Sequence, residues 1–120
     1  EEHGVPLYDG DLEQQQGTPQ AVRVLKQRIL DSDGLLLVTP EYNHGVPGVF
    51  KNGIDWLSRA DMKAVFGGKP TGLMGASMSG FGTVSSQHAW LPTLSCWARG
   101  CSAGARSWSR ARKTCSPKAS

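Results

Sequence analysis

Apolar positions recur along the first two thirds of the chain with two different periods. Val22, Leu25, Ile29 and Leu30 fall on one face of a 3.6-residue repeat, with Thr18 as N-cap and Pro19 in the first turn, which predicts a helix over residues 19–31. Asp33 and Gly34 end it. Leu35, Leu36, Leu37, Val38 and Thr39 then form an unbroken run of the kind found in a parallel strand covered on both faces. Upstream, residues 4–8 read as a short extended piece closed by the turn chemistry of Asp9, Gly10 and Asp11. Downstream, residues 49–59 are predicted to be helical, with Phe50, Ile54 and Leu57 toward the core. Residues 71–76 are a second internal strand launched by Gly67, Gly68, Lys69 and Pro70, and residues 83–91 a third helix. Strands alternating with helices imply an α/β fold, a parallel sheet with helices on both faces.

The pattern changes after Leu94. Residues 95–120 contain no Val, Ile, Leu, Met, Phe or Tyr, leaving Trp97, Trp108 and the cysteines as almost the only groups able to be buried. This composition predicts one domain over residues 1–94 followed by a basic, disordered tail. Charge divides in a similar way: five basic against ten acidic residues up to Asp61, eight against none beyond it. Such a tail raises a nucleic-acid or acidic partner as one alternative. All three cysteines, Cys96, Cys101 and Cys115, lie there too, without Cys-x-x-Cys spacing and without a nearby histidine, so neither zinc nor a disulfide framework is expected. No stretch approaches the roughly 18 apolar residues of a membrane span and no signal pattern opens the chain, so a cytoplasmic location is expected.

Both predicted internal strands run into glycine-bearing loops. Residues 38–48 read V-T-P-E-Y-N-H-G-V-P-G, a strand end bent by Pro, Asn and Gly before a helix. Residues 77–82 read S-M-S-G-F-G. In an open parallel sheet, ligands bind beyond the carboxyl ends of the strands, so the two loops would share one rim. Taken alone, residues 77–82 are equally an ordinary Gly/Ser turn. The longer segment, residues 40–59 (P-E-Y-N-H-G-V-P-G-V-F-K-N-G-I-D-W-L-S-R), resembles the NADPH-dependent FMN reductases almost throughout. That flavodoxin-like family includes quinone, chromate and azo-dye reductases.

The resemblance spans about residues 5–92 and implies a flavodoxin-like three-layer fold with bound FMN and with NADPH as hydride donor. It implies small acceptors such as quinones, and a homo-oligomer for the intact family member. By the same resemblance Pro40, Glu41, Tyr42 and Asn43 line the isoalloxazine ring, largely through their backbone. His44 and Gly45 continue that wall, and Ser77, Gly80 and Gly82 form the second flavin loop. Lys51, Asn52, Asp55 and Trp56 look like the family's signature helix, which often packs against a partner subunit. A plainer reading pairs Asp55 with Arg59 as exposed i,i+4 neighbours. The cofactor carries the hydride chemistry, so no catalytic acid–base pair is assigned to the protein.

Set against the family's 2-1-3-4-5 strand order, the chain is expected to lack the first, central strand with the phosphate-holding loop after it, and also the last strand and helix. The tail suggests a reason for the second loss. Cys and Trp codons both begin with T-G, so a frame two nucleotides on converts each into an apolar residue, and one permitted shifted reading contains a Gly-bounded Thr-Leu-Leu-Val run. Residues 95–120 are therefore read as a frameshift product, against a genuine basic disordered tail; for the function, an inactive fragment of such an enzyme or a basic-tailed binding protein is the alternative to an FMN-dependent reductase. Other motifs do not hold. Gly75-Ala76-Ser77-Met78-Ser79 lacks the final glycine of a nucleophile elbow, Gly68-Lys69-Pro70-Thr71 lacks P-loop spacing, and His3, His44 and His88 form no metal-binding cluster. The reading expects no metal, no membrane and no nucleic-acid partner.

Overall fold

A computed structural model describes residues 4–59 and 61–98. Its elements run α1 (Gly10–Gln16), α2 (Gln20–Leu30), β1 (Leu35–Val38), α3 (Gly48–Arg59), α4 (Met62–Phe66), β2 (Thr71–Met74) and α5 (Val84–Ala98). The two strands pair in parallel, Leu35 opposite Thr71 and Val38 opposite Met74. Main-chain bonds from Leu35 N–H to the Pro70 carbonyl and from Thr39 N–H to the Met74 carbonyl, both 2.9 Å, extend the ladder by one residue at each end. The α/β class and the parallel pairing are as the sequence predicts.

Local chemistry explains the first elements. Asp9, read above as part of a turn, is the N-cap of α1: its carboxylate accepts from the amides of Asp11 (2.9 Å) and Leu12 (3.5 Å). Asp11 and Glu13 in the first turn complement the helix dipole, and Gly17 ends the helix at φ 73°. Residues 4–8 form no strand among the described residues. The cap of α2 also shifts by one residue, since Pro19 takes the N-cap position, extended at ψ 147°, and no side chain bonds there. The five-residue α4 has no counterpart in the sequence reading. Asp61 starts it by accepting from Ala64 N–H at 3.2 Å, and it is held because Val65 and Phe66 are buried.

The core forms where α2, α3, α4 and α5 meet one face of the two-stranded sheet. Val22, Leu37, Ile54, Trp56, Leu57, Val65, Phe66, Trp90 and Trp97 are buried, with Leu35 and Leu73 packed against them. The other face, expected to be covered as well, is open: Leu36, Val38 and Met74 are 63%, 59% and 51% exposed. Alternation within β1 is the direct cause, because consecutive side chains point to opposite faces and, among the described residues, helices cover the Leu35/Leu37 side alone.

α5 differs most from expectation. It continues past Leu91, through the expected domain boundary at Leu94, to Ala98. Pro92 normally ends a helix because it removes an amide donor and restricts the residue before it. Here packing prevails: Trp90, Leu94 and Trp97 recur at helical spacing, Trp90 and Trp97 are buried, and Trp97 stacks on Phe66 with ring centroids 4.0 Å apart and planes 2° from parallel. The first four residues assigned to the tail, 95–98, are thus part of the helix. The expectations for the remaining tail, residues 99–120, lie outside the described residues.

Two comparisons test this packing by urea denaturation. Leu37→Ala should cost about 2–4 kcal/mol whereas Leu36→Ala on the open face should cost less than about 1 kcal/mol. Trp97→Ala should cost about 3–5 kcal/mol, and a chain ending at Leu94 should lose at least as much stability, whereas a disordered tail from residue 95 would require no change.

Candidate functional site

β1 and β2 end side by side, and their following loops, residues 40–47 and 75–83, share the rim that the sequence predicts. Gly75 shows how closely the strand ends approach. A Cβ there would lie 2.1 Å from the Thr39 carbonyl oxygen and 2.5 Å from Thr83 Oγ1, so only glycine fits.

Thr39 is wholly buried and fastens the first loop to α5. Its Oγ1 lies 2.9 Å from the Pro40 carbonyl, 2.9 Å from Ser86 Oγ and 3.5 Å from Trp90 Nε1. A carbonyl only accepts and an indole N–H only donates. The threonine hydroxyl therefore gives its proton to Pro40 and accepts from Ser86 and from Trp90. Two residues on, Glu41 Oε2 accepts from the amides of Ser85 (2.9 Å) and Ser86 (3.0 Å), in the first turn of α5. Its Oε1 lies 3.6 Å from His44 Nδ1.

Tyr42 and Gly45 exchange main-chain hydrogen bonds of 3.2 and 3.0 Å across Asn43 and His44. Both central residues have positive φ, 51° and 60°, the signature of a type I′ turn. Pro40, Tyr42, Asn43 and His44 are exposed, and Gly45 is partly buried. The second loop is closed by its own bonds. Ser79 N–H donates to Ser77 Oγ at 3.2 Å, Gly82 N–H donates to the Ser79 carbonyl at 3.1 Å, and Gly82 sits at φ 60°. Ser77 and Gly80 are exposed, and Met78 and Phe81 project into solvent. At Gly80 and Gly82 an added Cβ would meet nothing within 4 Å. The amides of Asn43, His44, Gly80 and Phe81 have no acceptor among the described residues. These four donors and the open glycine surfaces suit a flat ligand whose edge accepts hydrogen bonds, as a flavin ring does.

The signature-helix residues are used internally. Asn52 Nδ2 and Trp56 Nε1 both donate to the Pro6 carbonyl at 2.9 Å, and Asn52 Oδ1 accepts from Tyr8 N–H at 2.8 Å, which straps the N-terminal segment to α3. Asp55 pairs with Lys51 and not with Arg59. Arg59 instead meets Glu13 at 3.1 Å and lies over the Tyr8 ring, 5.7 Å from its centroid, because α1 brings that carboxylate and ring within reach. The Tyr8 hydroxyl donates to Glu13 at 2.8 Å, which pushes the phenol above its ordinary pKa, with burial adding to the effect and Arg59 opposing it. Nothing in the sequence pattern marked Thr39 or Ser86 as structural, although a threonine closing an apolar strand before a proline was visible.

Residues 1–114 match the model of the family described as NADPH-dependent FMN reductase. The chain is 48% identical over 84 residues to a 2-hydroxy-1,4-benzoquinone reductase of Burkholderia sp., covering 70% of this chain and 45% of that protein. It is 44% identical over 84 residues to the quinone reductase of Escherichia coli K12 (70% and 44% covered). Over 91 residues it is 44% identical to an NAD(P)H-dependent FMN reductase of Pseudomonas aeruginosa (76% and 48%). Among solved structures it resembles FerB, a flavoenzyme NAD(P)H:(acceptor) oxidoreductase from Paracoccus denitrificans, with a TM-score of 0.68 at 36% identity, covering 78% of this chain and 50% of the other. The chain spans about half the length of these relatives. It belongs to the NADPH-dependent FMN reductase family and has that family's flavodoxin-like fold in part.

The Thr39 junction can be tested without a ligand. Thr39→Val keeps the shape but leaves the Pro40 carbonyl, the Ser86 hydroxyl and the Trp90 indole without a partner, a loss expected to total about 2–4 kcal/mol. Thr39→Ser keeps the hydroxyl and should cost only about 1 kcal/mol for the missing methyl. Equal losses in the two variants, measured by chemical denaturation, would show that the hydrogen bonds are not what holds the junction.

Proposed function

We propose that this member of the NADPH-dependent FMN reductase family carries the flavin-ring half of an oxidoreductase site. In the whole protein, residues 40–45 and 77–82 hold the isoalloxazine ring of FMN. The observation that carries this reading is the set of amides at Asn43, His44, Gly80 and Phe81 that have no acceptor among the described residues, presented by two loops at adjacent strand ends, with open space at Gly80 and Gly82. When bound, FMN supplies hydride transfer from NADPH to a small acceptor such as a quinone. The protein's part is positional. With FMN bound, the loop amides would be the donors for negative charge on the ring, and the glycines would let the ring approach the backbone. Pro40, Glu41, Tyr42, Asn43, His44, Gly45, Ser77, Gly80 and Gly82 are the proposed ring-contacting segment, mainly through main chain. The exposed side of α3, with Val49 and the Lys51–Asp55 pair, is the surface offered to a second subunit in the intact protein.

Gly45 and Gly80 separate binding from folding. A Cβ at Gly45 meets only the Tyr42 carbonyl oxygen at 3.7 Å, an ordinary contact, and a Cβ at Gly80 meets nothing within 4 Å. Gly45→Val and Gly80→Val should therefore leave stability within about 0.5 kcal/mol. Both should abolish binding of FMN and of riboflavin, followed by quenching of flavin fluorescence. Unchanged affinity in both variants would overturn the site. Gly75→Ala is the contrasting control: it should unfold the rim, because its Cβ would collide with the Thr39 carbonyl.

A further inference from the structure

The Glu41 side chain is turned inward at the proposed site. It is only 11% exposed although it sits in a loop whose next three residues are all exposed. Its Oε2 accepts two consecutive amides of α5, those of Ser85 and Ser86. Such bonds to a carboxylate are charge-assisted and coincide with the positive end of the helix dipole. The same Ser86 gives its hydroxyl proton to Thr39, so the first loop is fixed to one turn of α5 at two points, residues 39 and 41. The second loop runs directly into that turn through Gly82 and Thr83. One carboxylate thus joins the two segments that carry the unpaired amides.

We propose that Glu41 is a positioning residue: its carboxylate, acting as an internal anion on the N-terminus of α5, sets the spacing between the two loops that grip the flavin ring. The proposal rests on the flavin reading above and assigns to Glu41 a role that its backbone alone does not provide. It also means that the first turn of α5 is occupied from within and is not where a ligand phosphate sits. His44, 3.6 Å from the other carboxylate oxygen and 90% exposed, adds a weak outer contact and is not required.

The test compares Glu41→Ala and Glu41→Gln with the unsubstituted chain, using riboflavin and FMN as probes and amide exchange as a readout that needs no ligand. Glu41→Ala should weaken both flavins by the same factor, about tenfold or more. Added acetate should restore part of the loss by occupying the vacated place at the helix end. Glu41→Gln, whose amide oxygen can still accept from Ser85 and Ser86, should lie between the two. In Glu41→Ala the Ser85 and Ser86 amides should exchange faster, and acetate should slow them again. If Glu41→Ala binds riboflavin as tightly as the unsubstituted chain, or if it weakens FMN alone, the positioning role is overturned. If the unsubstituted chain binds neither flavin, the flavin reading fails, and amide exchange then decides the clamp separately: unchanged protection of Ser85 and Ser86 in Glu41→Ala overturns it, and acetate-reversible loss of protection supports it.

Discussion

The Thr39 hydroxyl has one proton and three polar neighbours, and the way that proton is shared holds strand, loop and helix together. Pro40 can only accept and Trp90 can only donate, so Ser86 must donate, and the polar groups of the buried Thr39, Ser86 and Trp90 are all satisfied. A buried polar group left unpaired there would cost about 1–3 kcal/mol. α5 is thereby locked against the end of β1, and the Trp90 ring, 5.0 Å from Phe50, continues the contact into α3. The rim inherits its rigidity from this junction and from Gly75, where the backbone of the second strand's exit touches that of the first.

On that base the two loops are built by different means. The first is a tight turn with Asn43 and His44 in the left-handed region, a conformation that Asn tolerates and for which His is one of the better non-glycine residues. It is anchored from below by Glu41. The second carries its own serine bonds and puts Met78 and Phe81 into solvent, so its order comes from within and not from the core. The chemistry proposed for the family needs donors fixed in place more than it needs acids or bases, and both loops supply main-chain donors.

The strands, α2, α3 and the position of the rim were legible because each depends on local period and on glycine or proline punctuation. What escaped depends on distant partners. Asp9 looks the same as a turn residue and as an N-cap, and α1 is settled by contacts such as Arg59 with Glu13, 46 residues apart. The short α4 has too few residues to show a period and exists because Val65 and Phe66 are buried. Pro92 argued for an end to α5, yet the spacing of Trp90, Leu94 and Trp97 was in the sequence and carried the opposite message. The apolar run of β1 reads as a doubly covered strand, whereas among the described residues helices cover one face only. Of the candidate site, the two loops were readable from their glycines and from family resemblance. The inward turn of Glu41 and the Thr39 junction were not, because side-chain direction in a loop leaves no periodic trace.

The most direct measurement is a riboflavin titration of the chain followed by amide chemical shifts. The account predicts shifts concentrated on Asn43, His44, Gly80 and Phe81, four rim donors without an acceptor among the described residues. Ser85 and Ser86, held by Glu41, should move little. Shifts centred instead on the apolar groove between β2 and α5, at Leu73, Val84 and Leu91, or no shifts at the rim at saturating riboflavin, would contradict it.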